Sequence, residues 1–184
     1  MRHFFSEYRD SILAFVGIII ACISLGFTLW LGKEQIKHNH VSVGPRLNAY
    51  FTHNGKNDRE KWGIYVINNG MGTAFVTSIT VTVDGKPVNA VDNNIFVGAA
   101  QALGLDPNCF LIGGPRPNDS FKVGEEILLI ETGDSDKSCA IERLRFQLAS
   151  QPPQRLDFVL DIESIYGDKF RYTLSQNRQI RLGH

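Results

Sequence analysis

The feature that most constrains this chain is an uninterrupted apolar segment near its start. Residues 12–31, ILAFVGIIIACISLGFTLWL, contain no charged residue, no proline, no asparagine and no glutamine. Twenty residues of α-helix span roughly 30 Å, which is the thickness of the hydrocarbon core of a bilayer. The segment therefore predicts a single transmembrane helix, with residues 1–11 as a short leader and residues 32–40 as a polar juxtamembrane extension.

Two other interpretations of this segment stay open. Ile19-Ile20-Ala21-Cys22 has the order of a lipoprotein cleavage signal, but the residues after it remain apolar through Leu31. An ordinary signal peptide has an apolar region of about 7–15 residues and ends at a small-residue cleavage site, which this longer segment lacks. Aromatic residues flank both ends, as in the belts of spanning helices; they are Phe4, Phe5, Tyr8 and Trp30.

Small residues recur on one side of the predicted helix at spacings of three and four. Such residues let helix backbones approach each other closely in lipid. The pattern predicts self-association, although small residues are common in membrane helices and a chance stripe is the alternative. The stripe consists of Ala14, Gly17, Ala21, Ser24 and Thr28.

Basic residues flank the segment almost equally on its two sides. The leader carries Arg2 and Arg9, and the exit carries Lys33, Lys37 and Arg46. Because positive residues concentrate on the cytoplasmic side, the count weakly favours a large domain in the cytoplasm. The three exit residues are also candidates for contact with anionic lipid headgroups, at about 1 kcal/mol each.

Cysteine usage adds little to this assignment. Cys22 lies in the apolar segment, which leaves Cys109 and Cys139 as the remaining pair. They would bridge in an oxidising compartment or stay reduced in the cytosol, and the sequence alone leaves both states open.

The overall composition is that of a folded protein without a nucleic-acid partner. The 184 residues are 43% hydrophobic and 21% charged, and the formal net charge is +0. Disordered chains are poorer in apolar residues, and nucleic-acid-binding domains usually carry a basic excess. About 140 residues follow His40, which is the size of one domain.

The pattern of residues 41–184 predicts a mainly β domain. Apolar and polar residues alternate in short runs between turn signals, with two helical patterns at residues 91–103 and 135–149. The second helix carries Ile141, Leu144 and Leu148 at spacings of three and four, with Asp134 or Ser135 as a cap. Helices and strands do not alternate regularly, so we expect a β-sandwich or partly open barrel with two short helices. The expected strands are residues 47–51, 61–67, 75–83, 109–112, 127–130, 156–165 and 169–174.

A glycine pair at Gly70-x-Gly72 looks at first like a phosphate-binding loop. Such a loop opens a helix, but here the next residues, 74–83, are dense in β-branched side chains and alternate as a strand. The glycines therefore predict a turn between two strands, with positive φ as their expected role. Asp84-Gly85 then predicts a tight hairpin.

Several features occur together in this chain: the predicted N-terminal helix, residues 38–47 (HNHVSVGPRL), the 69–74 turn (NGMGTA), Asp84-Gly85, residues 123–126 (VGEE) and residues 163–168 (ESIYGD). In combination they resemble uncharacterised bacterial single-span membrane proteins with an immunoglobulin-like β domain. Such proteins often carry proline where this chain has Thr73. The resemblance implies an architecture and a location in the bacterial inner membrane but no activity.

No group of residues in the sequence predicts catalysis, a cofactor or a metal. His38 and His40 stand two apart without an acid or cysteine to complete a metal site. Asp157, Asp161 and Glu163 share one face of a predicted strand, which fits a solvated face better than acid–base chemistry. Cys109 and Cys139 are expected to be structural thiols rather than nucleophiles.

The sequence thus favours a non-enzymatic membrane protein that binds a partner protein or a small ligand and associates with copies of itself. Its partners would be the bilayer, other copies and an unknown protein or ligand, with no nucleic acid. The alternative is a ligand-gated membrane effector, for instance one triggered by a nucleotide signal in bacterial immunity, which the small-residue stripe motivates. A hydrolase is a third hypothesis, which would need Asp161, Glu163 and a histidine to meet in a pocket.

Overall fold

The computed structural model describes residues 2–52, 62–133, 137–151 and 154–183. It divides the chain into two compact units, Met1–Ser42 and Val43–His184. We describe each unit by itself.

The first unit is one long helix, α1 (Arg2–Ser42). It extends through the predicted span and through the whole polar extension, so the helix ends later than the apolar segment does. The stretch Ile12–His40 is long and apolar enough to cross a membrane, with a mean hydropathy of 2.6 in its most apolar window. Its apolar side chains from Ile12 onward are exposed, which is the surface expected of a helix whose solvent is lipid.

The second unit is mainly β, as the sequence predicts, and its strands form two antiparallel sheets. Sheet A has the order β1-β2-β7-β5, and sheet B has the order β10-β9-β8-β3-β4, with β6 paired to β3. Within the described residues the strands are β1 (Leu47–Thr52), β2 (Gly63–Asn68), β3 (Ala74–Val83), β4 (Lys86–Pro87), β5 (Phe110–Ile112), β6 (Ser120–Phe121), β7 (Glu126–Thr132), β8 (Leu156–Ser164), β9 (Lys169–Thr173) and β10 (Arg178–Arg181).

The core lies between the two sheets because the strands alternate in burial. β8 has a strict alternation of buried and half-buried residues over all nine positions, which places its apolar set on the inner face. Fully buried side chains come from both sheets and from the helices, so one core holds the domain together. The largest of them are Tyr172, Phe96, Phe121, Phe146 and Phe158.

Two short helices complete the domain. α2 (Ile95–Ala102) is shorter than the predicted helix because Asn94 caps it, accepting a hydrogen bond from the Phe96 N–H at 2.9 Å. α3 (Ala140–Ser150) follows a 3₁₀ turn at Lys137–Cys139, and its N-cap residue is Cys139, without a side-chain cap. The predicted caps, Asp134 and Ser135, lie outside the described residues, as do residues 53–61 and Pro152-Pro153.

The turn at Gly70-x-Gly72 connects β2 and β3, as predicted, but the reason for its glycines is different. Neither glycine has a positive φ. A Cβ at Gly70 would lie 2.3 Å from the Arg46 N, and one at Gly72 would lie 1.8 Å from the Val43 O. The glycines are therefore required because the chain between Val43 and Arg46 passes directly over them.

Asn68 organises this same turn from inside. Its buried side chain accepts hydrogen bonds from the Arg46 and Gly70 N–H groups, at 3.1 and 3.0 Å, and donates to the carbonyls of Gly72 and Phe121, at 2.8 and 3.1 Å. All four hydrogen-bonding positions of the amide are used. We call this region, residues 43–46 and 68–74, the Asn68 end of the domain.

Asp84-Gly85 forms the predicted hairpin, with both residues at positive φ (50° and 74°). The sequence pattern missed the short strand β6 and the last strand β10. β10 pairs with β9 through four residues, Arg178–Arg181, of which Ile180 is the one apolar side chain, so the alternation that marks a strand is weak there.

Candidate functional site

The predicted association stripe lies on the described part of α1, where its members are exposed. The Ser24 hydroxyl donates to the Ile20 carbonyl and the Thr28 hydroxyl donates to the Ser24 carbonyl, both at 2.8 Å. The two hydroxyls are thus satisfied inside the helix, and they do not need a partner helix. At Gly17 no atom lies within 4 Å of a Cβ position, so the surface there is open for a close neighbour.

The predicted headgroup residues fall in both units. Lys33 and Lys37 are exposed on the continuation of α1 beyond Leu31, whereas Arg46 belongs to the β domain. The Arg46 backbone is held at the Asn68 end, and its carbonyl accepts a hydrogen bond from the Asn69 N–H at 2.8 Å.

Cys109 and Cys139, whose state the sequence leaves open, form a disulfide. The bond joins Cys109, the residue before β5, to Cys139, the residue at the N-cap position of α3, and the two are 30 positions apart in the sequence. Cys109 is buried. The pair is therefore a structural link that fixes the start of α3 to sheet A.

Asp157, Asp161 and Glu163 share the outer face of β8, as predicted. Arg171 on β9 binds Asp161 with two hydrogen bonds of 2.7 and 2.9 Å, and Ser78 donates a third at 3.0 Å. The hydrogen bonds from Arg171 hold the pKa of Asp161 below its ordinary value. A carboxylate held in this way is a poor proton acceptor at neutral pH, so the face is structural.

His38 and His40, the two histidines that stand close together in the sequence, both lie on α1. Residues two apart on a helix are about 200° apart around its axis, so they point to different sides. Within the part of the chain that the structure describes, no three His, Cys, Asp or Glu side chains gather as metal ligands would.

A tyrosine–glutamate pairing occupies the outer face of sheet A. Tyr50 and Tyr65 stack with ring centroids 5.7 Å apart, and the Tyr65 hydroxyl donates to the Glu131 carboxylate. Burial, reinforced by Glu126, raises the pKa of Tyr50 to about 12, and burial together with Glu131 raises the pKa of Tyr65 as well. Both tyrosines therefore stay protonated and act as hydrogen-bond donors across the physiological range.

The helix α3 carries a group of three exposed apolar side chains. Ile141, Leu144 and Leu148 are 65%, 57% and 62% exposed, whereas Phe146 and Ala149 form the buried side of the helix. The spacing that marks this helix in the sequence is thus its outward face rather than its core face. We call these three residues the α3 ridge.

Two of the cavities in the described part of the β domain differ in their lining. The larger of these two, of about 410 Å³, lies beside the start of α2, and apolar residues such as Ile79 line it together with polar loop residues such as Asn93 and Asp119. The smaller, of about 190 Å³, opens between β1 and the end of β9, with Ile64 and Leu156 among its lining residues. We call the smaller one the β1 cleft. Sequence reasoning found neither, because each depends on which strands become neighbours across the two sheets.

No known protein family matches the chain, and no protein of curated function matches it in sequence.

Proposed function

We propose that this protein is a non-enzymatic binding module, held at a bacterial inner membrane by one helix and carrying an immunoglobulin-like β-sandwich. The observation that supports a binding role is the α3 ridge. Three aliphatic side chains, each more than half exposed, stand together on a domain that buries its other helix, α2, against the core. Clustered apolar exposure of this kind is typical of an interaction surface.

A second copy of the chain is the occupant we propose for the ridge. Three side chains fall far short of the roughly 800 Å² per partner that stable complexes bury, so the ridge alone would not hold a dimer in solution. Pairing of α1 through its small-residue stripe would raise the effective concentration of neighbouring domains into the millimolar range. At such a concentration, a weak contact between the α3 ridges of two copies is enough to hold the domains together.

The helix part is tested with two glycine variants of the full-length protein in mild detergent. Gly17→Ile blocks the stripe, whereas Gly26→Ile lies off it, about 200° around the helix from Ser24. A Cβ meets no atom within 4 Å at either position, so neither change disturbs the single helix. Light scattering should show an oligomer for the wild type and Gly26→Ile and a smaller species for Gly17→Ile. A monomeric wild type would contradict self-association.

The ridge part is tested with Leu144→Glu and a control, Val123→Glu, which changes an equally exposed residue elsewhere (57% and 54%). Crosslinking between copies in membranes should fall for Leu144→Glu and stay unchanged for Val123→Glu. Equal crosslinking in the two variants would remove the ridge from the interface and leave the helix contact untouched.

The side of the membrane is a further part of the proposal. The charge count favours the cytoplasm, but disulfides are rare there and persist in oxidising compartments. The Cys109–Cys139 bond therefore supports a β domain on the oxidising side, with residues 1–11 in the cytoplasm. A reporter active only outside the cytoplasm, fused after His184, should be active. Activity of a cytoplasmic reporter at the same position would reverse the assignment.

The second candidate function, a ligand-gated membrane effector, is favoured by the same stripe on α1. In that case a bound signal would rearrange the helices and make the membrane leaky. Induced expression with a dye-leakage assay tests it, and intact membranes under each nucleotide signal tried would count against it.

A further inference from the structure

The β1 cleft is the place where the two sheets are not sealed against each other. Nearer the Asn68 end, side chains from sheet B close the gap: the Gln179 carbonyl oxygen accepts from the Leu47 N–H and the Tyr172 hydroxyl accepts from the Ala49 N–H, both at 2.8 Å. Beyond Ala49 this closure stops, and the cleft opens as far as Ser150 at the end of α3. The cleft is thus a gap in the edge of the core.

The buried part of the cleft is apolar, and its polar lining residues are Tyr50, Ser150, Gln154 and Asn177. Ala49, Ile64 and Leu156, which are at most 9% exposed, and the half-buried Leu174 line it. No charged residue lines it among those that the structure describes. Its volume of about 190 Å³ is that of roughly six waters, or of an aliphatic chain of similar size. Water gains few hydrogen bonds on such walls, so an apolar chain is the better occupant.

Two hydrogen-bond donors stand at the rim of the cleft. Alternate residues of a strand direct their N–H groups to the same side, so the Phe51 N–H points with those of Leu47 and Ala49, away from β2. No acceptor is shown for it within the described parts of the chain.

The second donor is the side-chain amide of Asn177, whose orientation is fixed by its hydrogen bond with the Tyr172 hydroxyl. The Tyr172 hydroxyl already accepts from Ala49, so its single proton goes to Asn177, whose Oδ1 accepts it at 2.8 Å. A hydroxyl has one proton to give, and this fixes the amide so that the Asn177 Nδ2 remains a donor. The rim therefore offers N–H groups and no positive charge.

We propose that the β1 cleft binds a short aliphatic chain of about six or seven carbons that ends in an uncharged carbonyl, as in an acyl amide or ester. The apolar walls take the chain, and the Phe51 and Asn177 donors take the carbonyl oxygen. A free carboxylate binds worse because its charge would leave water without a cation to meet it. This inference rests on the proposed binding function and gives it a site.

The test uses the full-length protein in lipid nanodiscs and photoreactive probes that carry a diazirine in the chain. The probes are octanamide, octanoate and a phospholipid with the same group on one acyl chain, which separates a free amide from a bilayer lipid. After illumination, labelled peptides are mapped by mass spectrometry. Labelling of α1 through the bilayer serves as the internal reference in every sample.

Octanamide or the lipid probe should label the segments that carry Ile64, Leu156 and Leu174, and excess unlabelled octanamide should compete. Octanoate should label them at least about tenfold less. Gln154→Trp, an exposed rim change, should reduce the labelling at least about fivefold relative to Leu111→Trp, an exposed change outside the cleft. Leu174→Trp, which fills the cleft from within, should do the same.

Labelling of these segments no higher than elsewhere on the β domain would overturn the proposal, as would undiminished labelling in both filled variants. Equal labelling by octanoate would also overturn the assignment of an uncharged ligand. If labelling fails while the Gly17-dependent association persists, the cleft is wrong and the proposed binding module stands.

Discussion

The two ends of the β domain differ in how completely the chain satisfies itself. At the Asn68 end every hydrogen-bonding position of a buried amide is used, and two glycines leave no room for even one extra carbon. At the opposite end, which we call the α3 end, Phe146 and Ala149 anchor a helix whose α3 ridge faces outward, and the β1 cleft opens beside it.

This difference separates the region that stabilises the fold from the region that can bind a partner. The interior of the Asn68 end is fully bonded and close-packed, so it serves the fold, and Met71 is the large apolar side chain that this end exposes. Within the described ranges, the α3 end has exposed apolar groups and two donors for which no acceptor is shown, so it has binding free energy still to gain. Four predictions test this contrast, beginning with the substitution that should cost the most stability.

Asn68→Ala should be the most damaging substitution at the Asn68 end. It leaves two N–H groups and two carbonyls without their buried partner, and we expect a loss of about 4 kcal/mol in the free energy of unfolding. Urea unfolding followed by near-UV circular dichroism measures it. Asn69→Ala, at the exposed neighbouring residue, is the control. A loss below about 1 kcal/mol would mean that the region is not the fixed end we describe.

Removing the disulfide should lower the free energy of unfolding by slightly less than Asn68→Ala does. The Cys109→Ala/Cys139→Ala variant opens a loop of 30 residues, for which chain entropy gives about 3 kcal/mol. The unfolding midpoint should fall to the same value as that of the reduced wild type, and Cys22→Ala should leave it unchanged. A variant as stable as the oxidised wild type would show that packing alone fixes α3.

Tyr65→Phe should cost about 1 kcal/mol at pH 8, because Glu131 loses its buried hydroxyl donor. The pH dependence has a definite sign. The folded state raises the pKa of both tyrosines, so their contribution is complete below about pH 10 and is lost as the pH rises toward 12.

The variant should therefore lose less stability between pH 10 and pH 12 than the wild type does. Urea midpoints at pH 8, 10 and 11.5 measure this difference. Parallel alkaline curves for the two proteins would mean that Tyr65 does not titrate differently in the folded state.

Leu144→Ser should have the smallest effect on stability. Leu144 is 57% exposed, and surface substitutions away from packed features usually stay within about 0.5 kcal/mol. Phe146→Ala, two residues away and fully buried, should cost about 3 kcal/mol. Similar unfolding midpoints for the two variants would show that α3 sits on the domain in a different rotation.

Local patterns in the sequence were enough to find most elements. The alternation in residues 75–83, the Asp84-Gly85 signal and the long apolar segment each predicted what the structure contains. Gly70 and Gly72 were placed correctly in a turn but for the wrong reason, because the cause is a distant segment, residues 43–46, crossing over them. No local pattern carries that information.

The candidate surfaces were harder to predict for the same reason. The spacing of Ile141, Leu144 and Leu148 predicts a helix, but a helical stripe does not tell whether it faces a core or a partner. The orientation of α3 is decided by Phe146, which contacts Phe51 on β1 and Phe110 on β5. The β1 cleft likewise exists only because β1 and β9 become neighbours across the sheets.

The first residues of the β domain are tied down one after another. The carbonyls of Gly44, Pro45 and Arg46 accept hydrogen bonds from Met71, Gln179 and Asn69. A force applied along the chain from the residues before Val43 would therefore act directly on these hydrogen bonds. It would load bonds from both sheets at once, so this attachment should resist mechanical force far better than a loose tether.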